Sequence, residues 1–390
     1  MSKKRDTLTE AQKTVMAARA FSRRTLLKAA ALGTVAAAGP WYVRDAFSSS
    51  GSLNLLFWDD ELPDPVIPDF EKKTGIKINK TPFSQNEEQI NKLQATGGEG
   101  FDLCEPTHDR SPQFKDLGVL QPFDLNKLTN LDKLLPAMLD TSKKNYTWDG
   151  KLYHLPHTWG SEAISWRTDL TKLDYKTLSY GTLWEEPYKG KVQGRPHSLL
   201  LGIGLWLDAT GKVPSNRMAD AYKDEATMKK IYDEILKVAI AKKAWIKQFW
   251  DSADNTKSGY MENGCVIGMT WDGPALSLKK QGKPVSYMAP QEGAISWMDG
   301  WSMPIGAKNK EQAYEWLNYV HSPEVSAKVA DGSGYNPVAI GADAFLSDVA
   351  KKNFAEAYPG DALSKLWARI PEPSWFAELR TQYAEKFKSA

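Results

Sequence analysis

Between residues 54 and 105, three short apolar runs alternate with two helical periods, and this alternation restricts the fold more than any other feature of the chain. Asn54-Leu55-Leu56-Phe57-Trp58 has the length and bulk of a buried strand. Residues 66–73 read as a helix with Phe70 facing inward and Gly75 placed to end it. Ile76 and Ile78 alternate with lysines and give a second strand. Residues 86–95 read as a polar-faced helix ended by Gly97-Gly98, and residues 101–105 as a third strand closed by Pro106. Strand and helix in strict alternation predict an α/β fold with a largely parallel sheet and helices on both faces. Ligands of such sheets gather beyond the carboxyl ends of the strands. Trp58 to Glu61 and Pro106 to Asp109 fall there.

Farther along, residues 224–245 carry helical periodicity through Met228, Ile231, Ile235 and Val238. Residues 265–271 read as a strand ending in Asp272-Gly273-Pro274. Residues 297–303 form another apolar segment, punctuated by Asp299-Gly300, and residues 311–321 a helix stopped by Pro323. At 390 residues the chain exceeds one ordinary core, so two lobes are expected. No linker-like stretch separates two halves. The chain is therefore expected to cross between the lobes more than once.

The N-terminus follows a different logic. Residues 1–46 hold nine Lys/Arg and three Asp/Glu; without them the remaining 41 basic and 45 acidic residues carry −4. Ser22-Arg23-Arg24-Thr25-Leu26-Leu27-Lys28 leads into a small-residue apolar stretch, Ala29 to Ala38. That run is too short to span a bilayer. Its charged lead and small-residue end describe an export signal, and the twin arginine resembles the Tat type. Export by the Tat translocase to the periplasm is expected, with a soluble mature protein.

Catalytic signatures are missing. There is no Gly-x-Ser-x-Gly and no Gly-x-x-x-x-Gly-Lys-Ser/Thr. His154 and His157 flank Leu155-Pro156 in strand or loop and read as surface or hinge residues; no metal or cofactor is expected. Cys104 and Cys265 read as buried free thiols. The conspicuous residue is tryptophan, of which there are 15. Trp58 precedes Asp59, Asp60 and Glu61; Trp271 precedes Asp272; Trp297 lies two before Asp299; Trp159 lies three before Glu162. An aromatic face attracts an ammonium group and a carboxylate adds charge-assisted hydrogen bonds, so together they describe a box for an organic cation. The same rings could stack on a sugar.

Residues 53 to the C-terminus resemble the polyamine-binding (spermidine/putrescine type) periplasmic proteins of ABC importers. The segments that carry the resemblance include Phe70-Glu71-Lys72-Lys73-Thr74-Gly75-Ile76-Lys77, Phe101-Asp102-Leu103-Cys104-Glu105-Pro106-Thr107 and Pro156-His157-Thr158-Trp159-Gly160. Gly268-Met269-Thr270-Trp271-Asp272-Gly273, Trp297-Met298-Asp299 and Gly334-Tyr335-Asn336-Pro337 follow in the same order. The resemblance implies a two-lobed periplasmic-binding-protein fold (type II), with the ligand cleft between lobes that close as a hinge. Lobe 1 would comprise residues 52–157 plus 299–343, and lobe 2 residues 158–298 plus 344–390. It implies a monomeric receptor, not an enzyme, that hands a small organic cation to a membrane permease driven by an ATPase subunit. Nucleic acid has no place in it.

The resemblance also assigns positions. Trp58 matches an aromatic, Asp60 an acid that meets an amine, Thr107 a hydroxyl, Trp271 and Trp297 stacking rings, Asp299 the acid that holds an amino group, and Tyr335 a tyrosine at the cleft. Glu61 and Asp109 stand where the family usually has tyrosines, and Glu162 where a small polar residue is usual. The stretch Lys191 to His197 lacks the acids that usually meet a far amine. Two repairs are open. Glu61, Asp109 or Glu162 could hold the far amine, or the ligand could be zwitterionic, sugar-derived or anionic, with Arg195 meeting its anionic group.

Overall fold

The computed structural model describes residues 51–390; the expected export segment lies outside the described residues. β1 (Ser52–Trp58) is the central strand of a small parallel sheet, between β2 (Lys77–Phe83) and β3 (Leu103–Cys104). Leu53, Leu55, Leu56 and Phe57 are all buried, as a strand covered on both faces requires. The intervening helices α1 (Val66–Thr74) and α2 (Asn86–Thr96) end at Gly75 and Gly97 as their sequences predict. β3 is shorter than expected. Past Cys104, the Glu105 carboxylate takes the Trp58 N–H at 3.1 Å, in place of a strand partner.

The larger sheet has eight strands, and its spine is β4 (Leu155–Arg167), twelve of whose 13 residues are buried. The others are β5 (Val192–Gly194), β6 (Ile246–Phe249), β7 (Ile267–Trp271), β8 (Val285–Met288), β9 (Ile295–Trp301), β10 (Asn336–Pro337) and β11 (Trp367–Ala368). β4 pairs antiparallel with β7, β8, β9 and β10. The remaining pairings are parallel. This sheet is therefore mixed, not largely parallel. A single long strand meets four antiparallel partners along its length.

Helices α3 (Pro196–Ala209) and α4 (Glu225–Ala241) cover this sheet together with the C-terminal helix. Asp272-Gly273-Pro274 opens a helix, α5 (Asp272–Lys280), where the sequence suggested a stop. Proline in the first turn loses no hydrogen bond, because those N–H groups have no partner within the helix. For the same reason Pro323 both follows α6 (Lys310–Val320) and begins α7 (Pro323–Ser333). The C-terminal helix is α8 (Ser374–Ser389).

The two largest hydrophobic clusters lie apart, and smaller ones bridge them. One draws on residues 53–155 and 301–329, the other on 164–295 and 367–387. Chain passes between them at β4, at β9 and near β10. The β4/β9 pairing shifts register between Asp299 and Gly300, at the crossing itself. His154 and His157 are buried here, 0% and 2% exposed, so the surface reading of these histidines is wrong. His154 Nε2–H donates to the Pro106 carbonyl at 3.1 Å, and its Nδ1 bonds Ser142 Oγ at 2.8 Å. Cys104 and Cys265 are buried free thiols, as expected. Among the described residues, no helix is long and apolar enough to cross a membrane.

Candidate functional site

Strand ends and the turns after them converge between the two cores. β1 delivers Trp58, and the turn after it Asp60 and Glu61. The segment after β3 supplies Thr107 and Asp109. β7 ends in Trp271, β9 carries Trp297 and Asp299, Tyr335 follows α7, and Arg195 stands at the start of α3. These ten residues line one narrow cavity of about 30 Å³. That is room for a couple of waters. Glu162 is the exception among the anticipated residues. It is fully buried on β4 behind the wall, where Arg369 Nη2 donates to it at 3.2 Å.

Four aromatic rings shape the walls. Trp58 meets Trp271 edge-on, with ring centres 5.9 Å apart, and Trp297 meets Tyr335 in the same way at 4.9 Å. Trp250, which the sequence did not single out, backs Trp271 at 4.9 Å. Two glycines leave space for this packing. A Cβ at Gly160 would lie 2.5 Å from the Trp297 ring, and one at Gly273 2.4 Å from the Tyr335 ring.

One end of the cavity is acidic. Tyr335 Oη–H donates to Asp60. Thr107 Oγ accepts from Asn86 Nδ2 at 2.8 Å, and Thr107 pairs with Asp299 in an isolated antiparallel bridge. The carboxyl groups of Glu61 and Asp299 act on each other's titration. Burial pushes the Asp60 carboxyl up to about 7 and that of Asp299 up to about 8. Glu61 is pushed well up by burial and then by the charges of Asp299 and Glu105. Glu61 Oε2, Asp109 Oδ1 and Asp299 Oδ1 have no hydrogen-bond partner, nor do the indole N–H groups of Trp58 and Trp297. Among the described residues, no basic side chain lies within ion-pair distance of Asp60 or Asp299. Unpaired buried acceptors are costly in a folded protein and mark where donors are missing.

The opposite end is basic, and sequence reasoning missed most of it. Arg110, His197 and Arg369 join Arg195 in the lining. Arg110 is held by Glu372 at 3.0 Å and Glu87 at 3.2 Å, while Arg369 is held by Glu162 at 3.2 Å and Asp109 at 3.8 Å. Arg195 lies over the faces of Trp271 and Trp250, its guanidinium carbon 4.9 and 5.4 Å from the ring centres. Burial lowers Arg195 to about 10, so it stays charged at neutral pH. Arg369 comes from a distant part of the chain with no local motif, and only the fold places it here.

Several tryptophan–acid neighbours in sequence do not become neighbours at the site. Asp272 points away from the cavity and accepts from Tyr358 Oη at 2.9 Å and Asn336 Nδ2 at 3.2 Å. Trp159 packs against Phe354 and Tyr358. Glu61, Glu105 and His157 could present ligand atoms within 4.8 Å of one another. However, His157 Nδ1 already bonds Glu105 and lies 3.7 Å from Glu61, so the imidazole takes the place a cation would need.

Residues 66–357 match the model of the bacterial extracellular solute-binding protein family. A spermidine/putrescine-binding periplasmic protein of Salmonella typhimurium is 31% identical over 306 residues, 77% of this chain and 81% of the relative. The putrescine-binding periplasmic protein PotF of Escherichia coli is 29% identical over 359 residues, covering 87% of this chain and 91% of the relative. The structure of a spermidine/putrescine ABC transporter substrate-binding protein, PotD of Streptococcus pneumoniae, superposes with a TM-score of 0.68 at 23% identity. It covers 87% of this chain and 98% of that one.

Proposed function

This chain belongs to the bacterial extracellular solute-binding proteins, and from that premise we propose that it is the receptor of an ABC importer for a small organic cation of polyamine type, such as putrescine or spermidine. It is a binding protein and not an enzyme. One observation carries the ligand class. A cavity walled by Trp58, Trp271, Trp297 and Tyr335 holds carboxylate oxygens of Glu61, Asp109 and Asp299 without hydrogen-bond partners. An ammonium group supplies the missing donors and rests against the electron-rich ring faces. The names of the relatives point to the same chemistry.

In this reading the ammonium enters between Glu61 and Asp299 and displaces the proton they share. Asp60, fixed by Tyr335, closes the acid end, and Thr107 orients Asp299. We place the lobe divisions at residues 157/158, 298/299 and 343/344. Closure removes water from the ligand and strengthens its pairing with the acids. The closed monomer is what the permease and its ATPase subunit receive. Residues 1–46 direct the folded chain through the Tat translocase to the periplasm.

Calorimetry on the mature protein with putrescine and spermidine tests the reading. Replacing Asp299→Asn removes a charged partner worth about 1.5–3 kcal/mol, so amine affinity falls at least about tenfold. The melting temperature stays level or rises, because a buried carboxyl gives way to a neutral amide of the same shape. Wild-type affinity in Asp299→Asn would sink the assignment.

A further inference from the structure

The acid end accounts for one end of a ligand; the other end meets Arg195. Arg195 is 8% exposed and lines the cavity. The charged residues around it form a neutral set: Arg110, Arg195, Arg369 and Arg380 against Glu87, Asp109, Glu162 and Glu372. Within that set three arginines are paired. Arg110 takes Glu87 and Glu372, Arg369 takes Glu162 and Asp109, and Arg380 takes Glu87 at 3.0 Å and Glu372 at 3.2 Å. Among the described residues, Arg195 alone of the four has no carboxylate within ion-pair reach. Its guanidinium only rests on the rings of Trp250 and Trp271. Arg195 also precedes α3, a helix of 14 residues whose start no side chain caps. Free backbone N–H groups and the helix dipole favour an anion at that point. A guanidinium adds a planar fork that fits a carboxylate.

We propose that the Arg195 end of the cavity is an anion subsite, so that the receptor takes short ω-amino carboxylates, with the ammonium at Asp299 and Glu61 and the carboxylate on Arg195 and the first turn of α3. This rests on the reading of the acid end as an ammonium site and extends it to a second ligand class. A second ammonium placed against Arg195 meets like charge, whereas a carboxylate there supplies the partner that the buried guanidinium lacks.

The comparison pairs each diamine with the amino acid of equal chain length: putrescine with γ-aminobutyrate, and cadaverine with its ω-amino carboxylate counterpart. On the full mature protein, calorimetry is expected to show the amino carboxylate binding at least about tenfold tighter than the diamine. Arg195→Gln is expected to remove most of that advantage, weakening the amino carboxylate and tightening the diamine, which no longer meets like charge. Should Arg195→Gln not fold, Arg195→Lys is read in its place, since it keeps the charge and loses the fork. A diamine that outbinds its amino carboxylate on the wild type overturns the anion subsite and leaves the polyamine reading standing. Equal weakening of both ligands by the variant also overturns it, because the role of Arg195 is then structural. If neither ligand binds the wild type, the ammonium site falls as well.

Discussion

Asp299 concentrates the electrostatics of the site in one carboxyl group. Burial keeps its proton on to about 8, and Asp60 and Asp272 keep theirs to about 7. In the unfolded chain all three titrate near the ordinary carboxylate value. Between those values the folded state holds protons that the unfolded state has lost, so stability falls as pH rises. His154 and His321, lowered to about 3 by burial, act with the opposite sign but only below the ordinary histidine range. From about pH 6.5 to 8 the carboxyl effect therefore dominates, before the two buried thiols, raised by burial, add to it. The ligand-free protein is expected to lose melting temperature across that window, and Asp299→Asn to flatten the slope. Calorimetry in two buffers of different ionisation heat should also show protons released as an amine binds near pH 7. Equal heats in the two buffers would contradict a shared proton between Glu61 and Asp299. The sequence made Asp299 legible because Trp297 lies two residues away, and alternate residues of a strand share a face. The same rule explains what misled: Trp271 and Asp272 are adjacent and face opposite ways, and Trp159 and Glu162 are three apart.

At the scale of elements, the site depends on how closely strands approach the rings that line it. Gly160 lies on β4 beneath Trp297, and a methyl group there meets the ring at 2.5 Å and the Asp272 carboxylate at 2.6 Å. Gly160→Ala is expected to cost about 1–3 kcal/mol by overpacking, read from urea unfolding. It should also displace Trp297 and weaken amine binding about tenfold. Retained stability together with retained affinity would show that the ring has room to move. The first strands and helices were readable because their periods change cleanly from 2 to 3.6. β4 was not. Its Trp159-Gly160-Ser161-Glu162 stretch mixes apolar and polar residues, yet it is buried throughout, since its polar groups bond within the interior. Ser161 Oγ, for example, meets Tyr287 Oη at 2.7 Å and Tyr358 Oη at 2.6 Å.

Across the whole molecule, charged contacts join residues 87–110 to residues 372–380 beside the cavity. Glu372 binds Arg110 at 3.0 Å, Arg380 binds Glu87 at 3.0 Å, and the Glu372 N–H donates to the Asp109 carbonyl at 2.8 Å. Glu372 is 1% exposed, so removing it leaves two buried guanidinium groups short of a partner. Glu372→Gln is expected to shift the lobes toward an open form and to weaken ligand binding. Small-angle scattering should show a larger radius of gyration without ligand and recovery at saturation; an unchanged radius would mean that apolar contacts alone hold the lobes together. The ligand itself should stabilise the fold by about 2.7 kcal/mol at a hundredfold excess over Kd. Thr107, Tyr335 and the missing acids after Gly190 stood out through the family resemblance, whereas the sequence by itself determined the α/β alternation of the first elements and the nearness of Trp58 and Trp297 to acidic residues. These last two follow from short-range order: the period of apolar residues, or the faces that neighbours share. Only the tertiary structure decided that Glu162 stands behind the wall, that Arg110 and Arg369 join it, and that Arg195 is left without a carboxylate. Those outcomes depend on which charges meet across more than a hundred residues of chain, and pairing at that range is settled by packing and not by local sequence.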